Sequence, residues 1–148
     1  MREKAASIWR IWTGRALTAV VVLFLVMDTS MKLMDLPAVR QTMAPLGWPA
    51  ALGRPIGVIE LVCLALYAVP RTAVLGAVLL TGLMGAAVAT HWRVGDPLFS
   101  HVLFGVYLGV MAWAGLWLRE PRLRDLLPMV RSAAHLVRSS ETPTGERP

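Results

Sequence analysis

Four long apolar runs divide this sequence, at about residues 15–34, 53–69, 73–92 and 97–118, and short clusters of charge, proline or glycine separate them. Near-continuous apolar runs of this length read as membrane-spanning helices. The first run, at 1.5 Å of rise per residue, covers ~30 Å, one hydrocarbon thickness. The polar punctuation predicts the connections. Residues 35–54 hold Pro37, Pro45, Gly47, Pro49 and Gly53 and read as a loop. Within it, PAVRQTMA (37–44) predicts a short interfacial helix started by its proline. Thr72 reads as the N-cap of the third span, and Asp96-Pro97 as the N-cap and first turn of the fourth.

The flanks differ from the runs. Residues 1–14 form a basic and aromatic entry, with Ile8, Trp9, Ile11 and Trp12 suited to a membrane surface. After residue 118, Leu123, Leu126, Leu127, Val130, Ala134 and Val137 recur at helical spacing among Arg119, Arg122, Arg124, Arg131 and Arg138, interrupted by Pro128. This predicts an amphipathic segment on an anionic membrane face. Residues 139–148 (SSETPTGERP) read as disordered. The expected organisation is one membrane domain over 1–128 and an interfacial or disordered tail over 129–148. The expected fold class is all-α: a four-transmembrane-helix bundle.

Charge placement sets the expected orientation. With both termini in the cytoplasm, inner segments hold Arg2, Lys4, Arg10, Arg15, Arg71, Arg119, Arg122, Arg124, Arg131, Arg138 and Arg147, and outer segments hold Lys32, Arg40, Arg54 and Arg93. That is eleven bases against four, the asymmetry of the positive-inside rule. Trp9, Trp12, Trp48, Trp92, Trp113 and Trp117 all fall at span ends, as an aromatic belt requires. The net charge of +6 therefore belongs to membrane topology rather than to nucleic-acid binding. A hydrophobic share of 56% is too high for a soluble domain of this length. The lone Cys63 excludes an intrachain disulfide and any CxxC pair. The first run is too long for a signal h-region and lacks an A-x-A site, so no cleavable signal peptide is expected.

Candidate chemistry lies near one end of the spans. Asp28 and Lys32 sit late in the first, Glu60 ~8 Å into the second, His91 at the end of the third and His101 in the first turn of the fourth. Arg93 and Asp96 lie in the elbow between the last two. Charges within a span cost about 2.5–3.5 kcal/mol each, so they face the bundle interior and pair. Asp28 and Lys32 form an i,i+4 pair in the favourable order. Glu60 has no local partner and must meet Lys32, Arg93 or a histidine, or stay protonated. The predicted ligand-binding set is Asp28, Lys32, Glu60, His91, Arg93 and His101, around an outward-facing pocket. Two histidines and a carboxylate are a donor set for zinc, iron or copper, and a haem between the last two helices would use the same side chains. The ten-residue spacing of the histidines matches no metal signature, and no metal ligands are assigned. A structural ion pair, a register-fixing hydrogen bond and helix capping are the plain alternatives for these residues. Cys63 reads as packing.

Small residues supply candidate contact surfaces. Ala77, Thr81, Gly85 and Ala89 recur every four residues, and Gly105-x-x-x-Gly109 lies in the next span. Both patterns permit close helix packing, within the bundle, with a partner membrane protein or in a homodimer.

Several pieces resemble a known family. PIGVIELVCLALYAVPRTAVLGAVLLTGLMGAAVATHWRVGDPLFSHVLFGVYLG (55–109), VVLFLVMDTSMKLMD in the first span and GLWLREPRLRDLLP at the exit are similar to the DoxX-like family of small bacterial membrane proteins. The resemblance covers roughly 14–128, and PRTAVLGA, ATHxRxGDP and HVLF are its more specific parts. The chain departs from it at Leu83-Met84-Gly85, where an aromatic and a second glycine are expected, and at Gly105, where a proline often stands. The resemblance implies a four-helix bundle in the bacterial cytoplasmic membrane with both termini inside. The wider family takes its name from a subunit of a thiosulfate:quinone oxidoreductase, while distant relatives act as membrane chaperones or cargo factors.

Two functions follow as expectations. In one, the outward pocket holds a quinone headgroup or another small polar molecule, as part of a redox-accessory subunit, and Glu60 and a histidine exchange protons with it. In the other, the same residues clamp the bundle of a non-catalytic, chaperone-like assembly protein. Four spans without internal repeats or broken helices argue against a transporter. No GxSxG, catalytic-triad order or phosphate loop is present, so the chain is not expected to be an enzyme alone; any catalytic part would be as a quinone-linked oxidoreductase subunit.

Overall fold

A computed structural model describes residues 2–126, with side chains from Ile8 to Arg124. It is helical throughout, with no strand among the described residues. The helices are α1 (Arg2–Leu33), α2 (Pro37–Met43), α3 (Gly53–Ala68), α4 (Ala73–Arg93), α5 (Phe104–Arg119) and α6 (Pro121–Leu126). A 3₁₀ turn over Ala50–Leu52 leads into α3, and a π-helical turn over Leu98–Val102 leads into α5. The predicted tail over 129–148 lies outside the described residues.

The four long helices form a ring. α1 packs on α3 and α5, and α4 packs on the same two. The backbones of opposite helices stay apart, and Tyr67 spans one diagonal: fully buried, it donates its hydroxyl proton to the Ala112 carbonyl at 2.9 Å. Val21, Leu25, Leu64, Ala77, Leu80, Leu108 and Leu116 fill the centre, and Cys63 packs among them. The outward faces are equally apolar. Leu23 is 69% exposed and Val110 62%, and Val58, Val62, Leu75 and Val78 are each at least 51% exposed. A collar of bare aliphatic side chains around a closed ring is stable only in hydrocarbon. Four helical stretches are long and apolar enough to cross a membrane: Ile8–Leu33, Ala50–Ala68, Ala73–Arg93 and Leu98–Arg119. The chain is a small multi-pass membrane protein.

The structure departs from the sequence reading at three joints. α1 starts at Arg2, well before the predicted span, because no proline interrupts the entry segment. Thr72 precedes α4 but makes no side-chain cap; its hydroxyl donates back to the Leu66 carbonyl at 2.8 Å. Pro97, not Asp96, takes the N-cap position of the π-helical turn, which releases the Asp96 carboxylate for another partner. The predicted 37–44 helix is present as α2, with Val39 and Met43 buried.

The small-residue patterns divide between inside and outside. Ala77 is buried, whereas Thr81, Gly85 and Ala89 are exposed. Gly105 lies inside the α4–α5 contact: a Cβ there would meet the Met84 carbonyl oxygen at 2.9 Å. It packs its own bundle and is not available to a second copy. Gly109 has nothing within 4 Å of a would-be Cβ.

Candidate functional site

The six candidate residues separate into three bonded groups. The first bridges α1 and α3. The Lys32 ammonium donates to Asp28 Oδ2 at 2.5 Å and to Glu60 Oε2 at 2.6 Å. Helical spacing alone brings Asp28 to Lys32; the reach to Glu60 depends on Gly57. A Cβ at Gly57, one turn before Glu60, would stand 2.9 Å from the Lys32 Cβ. With no side chain there, the lysine stem lies against the α3 backbone and its head meets the next turn. Glu60 is 0% exposed, and its second oxygen, Oε1, has no partner among the described residues. With all three groups ionised, two carboxylates share one ammonium. Thr29, beside Asp28, is also buried without a hydroxyl partner. Thr13, Ser30, Thr81 and Thr90 all bond back to the carbonyl four residues earlier, so Thr29 departs from the habit of its own helices.

The second group is built by the end of α4. Gly95 adopts φ +77°, and two backbone bonds, Gly95 N–H to the Trp92 carbonyl and Asp96 N–H to the His91 carbonyl, close the helix. This is a Schellman ending, which favours glycine at its left-handed position. The backbone bond to His91 brings the Asp96 side chain back over the same residue, where Oδ2 lies 2.6 Å from His91 Nδ1. The ring therefore presents Nδ1–H to the carboxylate and turns Nε2 away. The next turn, Leu98–Val102, carries His101, whose Nδ1 is 2.8 Å from the Ser100 hydroxyl. The two imidazole rings lie 5.9 Å apart, centre to centre. Each has its Nδ1 occupied, and neither Nε2 has a protein partner among the described residues.

Arg93 stands in neither group. It donates to the Leu46 carbonyl at 2.5 Å and lies over Gly47, stapling the α2–α3 loop to the end of α4. Nearby, the end of α1 repeats the Schellman ending without glycine: Asp35, two residues past the helix, has φ +56°, a conformation that aspartate tolerates better than most residues. Its carboxylate bonds Arg40 and lies 3.9 Å from Arg54. The Arg40 hydrogen bond holds the Asp35 carboxyl below the usual carboxylate range.

Lys32 with its two acids occupies the α1–α3 seam, and the histidine pair occupies the α4–α5 seam, on the opposite side of the ring. Below the histidines an open-sided apolar groove of about 730 Å³ runs along α4 and α5. Val88 and Gly105 line its near end, one helical turn from His91 and His101 respectively; Trp113 and Leu123 line its far part. The bare backbones at Gly85 and Gly109 widen it. The Trp113 indole N–H bonds the Thr81 hydroxyl at 2.8 Å across the seam. Among the described residues no three His, Cys, Asp or Glu side chains converge as a metal ligand set. Sequence reasoning assigned Asp96 to a cap and overlooked Gly57 and Ser100; the Gly95-Asp96 dipeptide after a helix is the signal that marks a Schellman ending.

Comparison with known proteins places these elements in a lineage. A family model described as the DoxX-like family matches residues 16–115, which takes in the Lys32 cluster, both histidines and most of α5. No curated protein matches the chain, and no solved structure does.

Proposed function

The chain belongs to the DoxX-like family, and from that premise we propose that it binds a small amphiphile of the quinone type, with the head at His91 and His101 and the hydrocarbon chain in the α4–α5 groove. The observation that carries the reading is the 5.9 Å ring separation directly above an apolar groove. Ligand sites of this kind combine a mostly apolar wall with a few convergent polar groups, in volumes of about 300–1,000 Å³. The His91 ring, with Nδ1–H on Asp96, offers Nε2 as an acceptor to a hydroxyl of the reduced head. Once protonated, it donates to a carbonyl of the oxidised head, and Asp96 stabilises the imidazolium. His101 supplies a second ring nitrogen to the same head. The chain's part is to orient the head and hold a proton, as a redox-accessory subunit would. In this reading both termini face the bacterial cytoplasm, supported by the excess of bases in the segments joined to them.

A second reading has its own observation. Thr81 and Gly85 present a small-residue edge at the same groove, continued by the exposed Ala89, which also suits the backbone of a partner helix or a second copy. That would make the protein an assembly or chaperone-like factor.

A decyl-chain benzoquinone titrated into the purified protein separates the two. Trp113 lies in the groove wall, so the first reading expects saturable quenching of tryptophan fluorescence, weakened at least about tenfold by His91→Ala, a loss of about one good polar contact. Quenching that is unsaturable, or equal in wild type and His91→Ala, removes the ligand reading and leaves the helix-docking one.

A further inference from the structure

The bases at the two ends of the bundle differ in their partners. At the histidine end each one is engaged: Lys32 by Asp28 and Glu60, Arg40 and Arg54 by Asp35, and Arg93 by a carbonyl. At the opposite end lie Arg10, Arg15, Arg71, Arg119, Arg122 and Arg124, and none has an ion-pair partner among the described residues. Glu120, an acid beside three of them, accepts from the Arg122 backbone N–H at 3.3 Å. The guanidinium of Arg119 lies 5.5 Å over the Tyr67 ring and reaches the Tyr67 carbonyl at 3.4 Å. This brings it to the α3–α4 turn that carries Arg71. The Nε atoms of Arg119 and Arg124 are both buried without a partner, and Leu123 between them is anchored in the core. The arginines are thus held by the fold with donors unused, at the depth where Arg15 stacks on Trp12 and aromatic residues mark the membrane interface.

We propose that this end is a binding site for the phosphate of an anionic phospholipid, seated where α5 turns into α6 and held by Arg119 and Arg124, with Arg71 and Arg122 adding charge. A guanidinium matches a phosphate with paired N–H donors better than an ammonium does, and basic pockets at helix ends select anionic headgroups. The site lies at the end of the α4–α5 groove far from the histidines, where Leu123 lines the wall, and it does not depend on what binds at the histidines.

The test uses the full-length protein in detergent, with lipid retention read by native mass spectrometry. Phosphatidylglycerol is expected to bind at least about tenfold more tightly than phosphatidylcholine, and Arg119→Gln/Arg124→Gln to abolish that preference. Arg119→Lys/Arg124→Lys retains part of it, and Arg40→Gln, at the other end, retains all of it. Inorganic phosphate and the chain-free headgroup glycerophosphoglycerol are expected not to displace the lipid. Equal binding of the two lipids by the wild type overturns the proposal, whether or not the glutamine variant folds. So does displacement by inorganic phosphate alone, which would make the site one for a soluble anion.

Discussion

Lys32 of α1 donates to Glu60 of α3 at 2.6 Å, and Glu60 is wholly buried with one oxygen unpartnered. The contact joins residues 28 positions apart and fixes the register of two spanning helices. Removing the cation leaves two acids in a place built for three charges. Lys32→Met is therefore expected to destabilise the bundle by about 3–5 kcal/mol, the usual cost of orphaning a buried charge. Glu60→Gln keeps a carbonyl acceptor for the ammonium and is expected to cost about 1 kcal/mol. Denaturant titration of both variants in mixed micelles gives the comparison; a loss below about 1 kcal/mol for Lys32→Met would mean that the pair carries little weight.

Gly57 permits that contact. A methyl group there would press on the Lys32 Cβ at 2.9 Å, so Gly57→Ala is expected to part α1 from α3 at this end and cost about 1–3 kcal/mol. Ala is the better helix former at exposed sites. A stabilised Gly57→Ala would therefore show that the helices have slack here.

Gly95 sets the distance between Asp96 and His91. At φ +77° an alanine carries a strain of about 1–2 kcal/mol, which the chain relieves by opening the helix ending. Gly95→Ala is expected to release the Asp96 carboxylate from His91. In nitrogen NMR of histidine-labelled protein, the single Nδ1–H tautomer of neutral His91 gives way to a mixture. An unchanged tautomer would show that the side-chain pair holds without the backbone turn.

Asp35 gives a pH prediction from outside the spans. Its folded carboxyl titrates below the ordinary value because Arg40 bonds the charged form. A depressed acid contributes stability above its unfolded pKa, and the contribution is lost as pH falls through the folded one. The α1–α2 junction should thus stay tied at pH values where an ordinary aspartate is already protonated. Arg40→Gln is expected to move the Asp35 titration, followed by carbon NMR, back up toward the ordinary range. No movement would mean that Arg54 or the backbone sets it.

Much of this architecture is visible in the order of residues, because lipid imposes a long, simple code. The four spans, the Pro37 helix and the burial of Glu60 all follow from apolar length, proline position and the cost of charge in hydrocarbon. The Asp28–Lys32 pair is legible from its i,i+4 spacing. The Lys32–Glu60 contact is not, because it depends on which helices become neighbours in the ring and on a glycine that contributes only by being small. The same limit explains the histidines. Their spacing across a turn suggests that they meet, but the Schellman ending aims Asp96 at His91 rather than at the next helix. Sequence proximity groups Arg93 with them; the structure turns it toward the Leu46 carbonyl, a partner 47 positions away.

Ring-nitrogen NMR on protein carrying ¹⁵N-labelled histidine and lysine, titrated with the decyl-chain benzoquinone, tests the ligand reading at its atoms. The Nε2 resonances of His91 and His101 should shift together and saturate, while Lys32 Nζ stays in place. A saturable shift at Lys32 with both histidines unmoved would move the site to the α1–α3 seam and contradict the proposal.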